Sequence, residues 1–196
     1  MQPRPSSDPL EKLREFNEHT PTQHVKEVLQ PQLKRLVSNP RSITALLKGL
    51  SCPDVALKVL DVLQDGAGLA KVNLFHFSAL LGVCERRGSW PLAIKILSQM
   101  RAARQVADVL CYMPALRACQ KTSAWVQALR LFQSMSQSQA SPDAICYNAM
   151  IGSAKAVGSW PLAVALLAQM CGASIVPSSI IAGTVMSACQ EGMGKS

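Results

Sequence analysis

Residues 144–178 read AICYNAMIGSAKAVGSWPLAVALLAQMCGASIVPS, and this stretch is one copy of a unit that recurs along the chain. Its Trp160 has counterparts at Trp125 and Trp90, each offset by 35 residues. The same offset relates Ala163, Ala128 and Ala93, and again Met170, Met135 and Met100. Leu167, Phe132 and Leu97 are apolar in step with them, and Gly158, Ser123 and Gly88 are small. These are all three tryptophans of the sequence, and a shared register of this kind marks an array of equivalent supersecondary units. Cysteines keep the period too: Cys111 matches Cys146, and Cys84, Cys119 and Cys189 match with Ala154 in the vacant place.

Each unit reads as two helices. In the unit that starts at Leu74, Phe77, Leu80, Leu81 and Cys84 follow the i, i+3, i+4, i+7 rule of a buried helical stripe. Arg87 and Gly88 break it. Ser89 is placed to cap a second helix, and Pro91 suits its first turn. Ala93, Ile96, Leu97 and Met100 then form a second stripe, and a polar linker ends at Asp108. Pro142 and Pro177 close the second helices of the next two units. A hairpin cannot bury both of its faces alone, so stacked hairpins share one continuous core. The expected architecture is all-α, a right-handed α-solenoid of antiparallel helical hairpins. Its parts are a flexible tail over 1–20, an N-terminal helix or cap over 21–40 with a helix at 22–37, and a degenerate repeat over 41–73 with a long linker. Full repeats follow over 74–108, 109–143 and 144–178, and a partial repeat over 179–196. The repeated Trp, Ala and Met positions are expected to interlock neighbouring hairpins.

Composition narrows the functional classes. Apolar residues make up 48% of the 196-residue chain, which excludes wholesale disorder, and charged residues only 16%, which implies that apolar surface is covered by neighbours or by sequence outside the chain. The net charge is +8; from Arg41 onward 14 Lys/Arg stand against 7 Asp/Glu, so the basic excess lies in the repeats and permits an anionic partner. Seven cysteines cannot all pair, and none form the clustered pairs that zinc requires. The three histidines, His19, His24 and His76, join no catalytic arrangement, and there is no glycine-rich phosphate loop. No acid or base occurs between Lys155 and Glu191, but Gln169, Gly172, Pro177, Ser178 and Ser179 interrupt that run, and the repeat explains it better than a membrane span. The first residues lack an apolar signal segment and carry early acids, so no clear transit peptide is present.

The unit 144–178 resembles a pentatricopeptide repeat. It supplies the aromatic Tyr147, Gly158, Ala163, Met170 and Pro177 at the positions of that family's pattern. The preceding unit supplies Tyr112, Ala128, Leu129, Met135, Pro142 and Asp143, and the one before it Phe77, Gly88, Ala93, Met100 and Asp108. The tetratricopeptide repeat differs, having a 34-residue period and its Trp in the first helix. The resemblance implies a non-enzymatic protein that binds single-stranded RNA, with organellar RNA processing, stability or translation as its role and mitochondrion or plastid as its location. It implies no cofactor, metal, membrane or small-molecule substrate. The array ends in mid-repeat, and a longer array is expected.

The resemblance also implies roles for particular residues. Positions 5 and 35 of a unit read one base: Ser78 with Asp108, Met113 with Asp143, Asn148 with Ser178, and Thr44 with Asn73 in the degenerate unit. Ser78 with Asp108 is similar to a guanine-preferring pair, Asn148 with Ser178 to a cytosine-preferring pair, and Thr44 with Asn73 to an adenine pair. Met113 departs from the pattern, leaving Asp143 without a polar helper, and Gly183 offers no hydrogen bond. Phe75, Leu110, Ile145 and Ile180 stand where bases are sandwiched, and Arg86 and Lys121 at position 13, near phosphates. Polar side chains of these kinds read the edges of unstacked bases. The same residues also satisfy simpler needs: Asn, Ser and Asp cap helices, Met fills space, and surface cations are solvated. A rival reading has the same concave surface grip a protein partner.

Overall fold

The computed structural model describes residues 9–65, 73–138 and 140–193. Among them are twelve α-helices and no strand. They form two compact units, residues 1–87 and 88–196.

The first unit holds α1 (Pro9–Arg14), α2 (Thr22–Leu29), α3 (Leu33–Ser38), α4 (Pro40–Gly49), α5 (Pro53–Asp65) and α6 (Leu74–Arg87). Two expectations are corrected here. Part of the tail expected over 1–20 is the helix α1, whose Leu13 is buried. The helix expected over 22–37 is broken by a 3-10 turn at Gln30–Gln32, because Pro31 has no N–H to continue the ladder. The degenerate repeat does supply two helices, α4 and α5. Asn39 caps α4 by accepting the Arg41 N–H at 3.1 Å, and Pro40 occupies its first turn. The beginning of the tail, 1–8, and the long linker at 66–72 lie outside the described residues. Val25, Leu29, Leu47, Val55, Val59, Leu63 and Leu80 make the core.

The second unit repeats one hairpin. It comprises α7 (Trp90–Ala102), α8 (Val109–Lys121), α9 (Trp125–Gln137), α10 (Ala144–Ala156), α11 (Trp160–Gly172) and α12 (Ser179–Met193). The first helices α8, α10 and α12 pack side by side, and α9 and α11 back them. Ala93, Ala128, Ala163, Met100, Met135 and Met170 are all fully buried, as interlocking positions must be. Phe132 of α9 meets Tyr147 of α10 edge-to-face with ring centroids 5.0 Å apart. The tryptophans differ from expectation. Each begins a second helix, but Trp125 and Trp160 remain 36% and 38% exposed, so they cover the rim of the core. The Trp160 ring lies against Gly192 of α12, where a Cβ would collide with it. Ser89 precedes α7 without a side-chain cap bond, and Pro91 sets the first turn instead.

The small residue between paired helices has a backbone cause. Gly158 (φ 70°) and Ser123 (φ 54°) are left-handed, which turns the chain and lets Ser159 N–H and Ala124 N–H reach back to Ala154 O and Cys119 O, both at 2.9 Å. No atom lies near a Cβ built on Gly158, so its replacement is purely a conformational matter. Gly158→Ala is expected to lower stability by about 1 kcal/mol, and Ser123→Gly to raise it by a similar amount, in chemical denaturation.

Candidate functional site

The first turns of α8, α10 and α12 share one construction. Asp108 and Asp143 are N-caps: each accepts a backbone N–H through Oδ1, from Cys111 at 3.1 Å and from Cys146 at 2.9 Å. Ser178 Oγ accepts the Ile181 N–H at 3.3 Å. The capped residues Cys111, Cys146 and Ile181 point inward and are buried. The residue before each must then point outward, and Leu110, Ile145 and Ile180 are 70%, 54% and 70% exposed. Each lies about 100° around the helix from its buried neighbour, which turns an apolar side chain outward. Phe75, in the other unit, is 72% exposed at the equivalent point of α6.

Position 5 lies three residues on, on the same face. Met113 and Asn148 are half-buried, and Gly183 is exposed. Met113 leans from α8 onto the first turn of α10, where the Cys146 thiol approaches its Sδ at 3.2 Å. That turn is the one Asp143 caps, so positions 5 and 35 of the unit 109–143 are brought to one place, with a thioether where a polar helper was expected. Asn148 and Ser178 occupy the equivalent places on α10 and at the start of α12. Each cap aspartate accepts its backbone N–H through Oδ1 and also meets the thiol of the capped cysteine, and a carboxylate has acceptor capacity beyond those two contacts. Ser78 is half-buried on α6.

In the unit 1–87, Thr44, Asn73 and Phe75 line a single cleft of 510 Å³ together with Arg41 and Lys48. The two cations were not found by the sequence reading. Their signal was the spacing 41, 44, 45, 48, which puts Arg41, Thr44, Ala45 and Lys48 on one helical face. Beneath Asn73 sits His76, buried. Its Nδ1 accepts the Asn73 N–H at 3.2 Å and its Nε2 donates to Pro40 O at 3.2 Å, which fixes a neutral imidazole across the starts of α4 and α6. Burial pushes its pKa down, against a smaller upward pull from the Pro40 carbonyl.

Arg86 and Lys121 lie in the last turns of α6 and α8. Arg86 Nη2 donates to Lys48 O at 2.9 Å and Leu50 O at 3.2 Å; Arg87 and Arg14 bind Ser51 O and Gly49 O beside them. Three guanidinium groups thus satisfy the carbonyl end of α4. Lys121 is exposed and ends α8, eleven residues and about 16 Å along the helix from Leu110.

Cys84, Cys111, Cys119 and Cys146 are buried and free. Desolvation pushes Cys84, Cys111 and Cys146 up to about 12 and Cys119 up to about 11, from an ordinary 9.0. Cys171 is exposed. It is expected to react first with a thiol reagent at mild pH, with those four protected until the chain unfolds. The unfolded chain releases the four protons from about pH 9 while the folded chain holds them, so this contribution to stability is full below that pH and is lost as pH rises toward 12. Thermal melts across that range check it. No group of three potential metal ligands occurs among the described residues, and none of their helices is long and apolar enough to cross a membrane.

No family model and no curated sequence matches the chain. Solved structures do. The pentatricopeptide repeat protein PPR10 in complex with an 18-nt psaJ RNA element matches at 22% identity and TM-score 0.63, over 94% of this chain and 27% of that one. The repeat domain of Arabidopsis thaliana protein-only RNase P 1 in complex with tRNA matches at 14% identity and TM-score 0.61, over 87% of this chain and 83% of that one. The chain has the pentatricopeptide-repeat fold. The crystal structure of the pentatricopeptide repeat protein PPR10 from maize matches as well, at 21% identity and TM-score 0.53, over 85% of this chain. The chain spans 31% of that maize protein's length.

Proposed function

We propose that this chain binds single-stranded RNA along the first turns of its first helices, without chemistry on the RNA, and serves organellar RNA processing, stability or translation in a mitochondrion or plastid. The observation that carries the reading is the outward row Leu110, Ile145 and Ile180 beside the polar caps Asp108, Asp143 and Ser178. Apolar side chains cover base faces, while carboxylate, amide and hydroxyl groups address base edges. Few units read few bases, so discrimination is modest: the pair Asn148 and Ser178 favours cytosine, and Met113 leaves its base weakly specified. In the unit 1–87 the cleft of Thr44, Asn73 and Phe75 accepts an adenine, with Arg41 and Lys48 taking the phosphate role in place of Arg86. The fold's RNA-bound neighbours lend the reading support.

A filter-binding titration with short single-stranded RNA tests it. Saturable binding is expected at low salt, weakening steeply as salt rises. Absence of binding at low salt would instead favour the rival scaffold reading, in which the aliphatic row grips a protein.

A further inference from the structure

We propose that a groove on α7, α9 and the loop after α7 docks an acidic peptide segment of a protein partner. A cleft of 440 Å³ is walled by Leu97, Arg101, Arg104 and Val106, and a second of 320 Å³ shares Leu97 and Arg101 and adds Arg130 and Leu131. The two adjoin, with Leu97, Arg101 and Ser134 common to both. None of the residues assigned to bases or phosphates lines either one.

The charge of the groove is uncompensated. Arg101, Arg104 and Arg130 are exposed, and no carboxylate among the described residues pairs with any of them. Residues 88–196 contain three acids in all. Asp108 and Asp143 are engaged as helix caps, and Glu191 lies 3.4 Å from Lys155. Arg104 also stands at a left-handed position, φ 55°, where glycine is the ordinary choice, so the chain keeps a guanidinium there against the backbone preference. Guanidinium groups take carboxylates in paired hydrogen bonds. The floor, Leu97 and Leu131, is apolar, and Val106 rises 63% exposed at the rim. An acidic segment with an apolar anchor satisfies both features. RNA satisfies only the charge: the one aromatic ring in the lining, Tyr112, is buried and offers no face for stacking.

The test uses fluorescence anisotropy on the full chain. The probe is a short fluorescein-labelled peptide of Glu, Leu and Ala, with a Gln-for-Glu version as control. The Glu peptide is expected to bind saturably, and at least about tenfold more weakly to an Arg101→Glu/Arg130→Glu variant. The Gln peptide is expected to bind the wild-type chain weakly, and the milder Arg101→Gln/Arg130→Gln variant to show an intermediate loss, with circular dichroism unchanged throughout. A labelled uridine-rich RNA is expected to lose little affinity for the Gln variant, and less for the Glu variant than the Glu peptide loses. No saturable binding of the Glu peptide, or equal binding of either peptide or by either variant, overturns the proposal. Loss of RNA affinity in the Glu variant without loss of peptide affinity assigns the groove to nucleic acid and overturns it equally.

Discussion

Replacing Leu110, Ile145 and Ile180 together by aspartate is expected to lower affinity for single-stranded RNA by about 100-fold or more, since three aliphatic base contacts contribute about 1 kcal/mol each. The added carboxylates then repel the phosphates, and the loss grows at low salt. Folding is expected to survive. All three side chains are exposed, and surface changes at such sites shift stability by about 0.5 kcal/mol or less. Each aspartate would also sit in the first turn of a helix, where a negative charge is favoured by the dipole. RNA affinity and the melting midpoint, measured on the same preparation, separate this outcome from simple unfolding. A variant that melts as wild type and still binds RNA would remove the first-turn row from the interface.

Met135→Ala is expected to act the other way, lowering stability by about 2–5 kcal/mol. Met135 is wholly buried on α9, at the repeat position it shares with Met100 and Met170. Removing its side chain leaves a void that the neighbouring helices fill only in part. Met186→Ala on α12 is the matched control: the same chemistry at a 64% exposed site is expected to cost almost nothing. Urea unfolding followed by circular dichroism measures both. Equal effects of the two changes would mean that the Met row is not a core.

The fold was legible because repeat packing demands identical residues at identical places. The offsets of Trp, Ala and Met placed the paired helices from Leu74 onward, and the cysteine register marked Cys84, Cys111, Cys119 and Cys146, which are buried, though Cys189 in the same register is only partly so. Elements without a repeat were harder to read. In α1 only Leu10 and Leu13 are apolar, too few for a period, and Pro31 broke the next helix where the pattern ran on. Of the candidate site, Leu110, Ile145 and Ile180 were singled out by the resemblance alone, and their exposure is what the structure adds. The destination of Arg86 was not legible: a guanidinium that closes the end of α4 sits 38 residues from Lys48, and no local pattern encodes that bond. His76 was likewise silent in sequence, since its role depends on Pro40 being brought beside it. The half-exposed tryptophans show that periodicity marks a shared position and leaves its depth open.

Photocrosslinking with 4-thiouridine-substituted single-stranded RNA, mapped by mass spectrometry, tests RNA binding by the first turns most directly. Adducts are expected on peptides carrying residues 109–113, 144–148 and 179–183. Adducts confined to α7, α9 and α11, or none under conditions where RNA is retained, would contradict it.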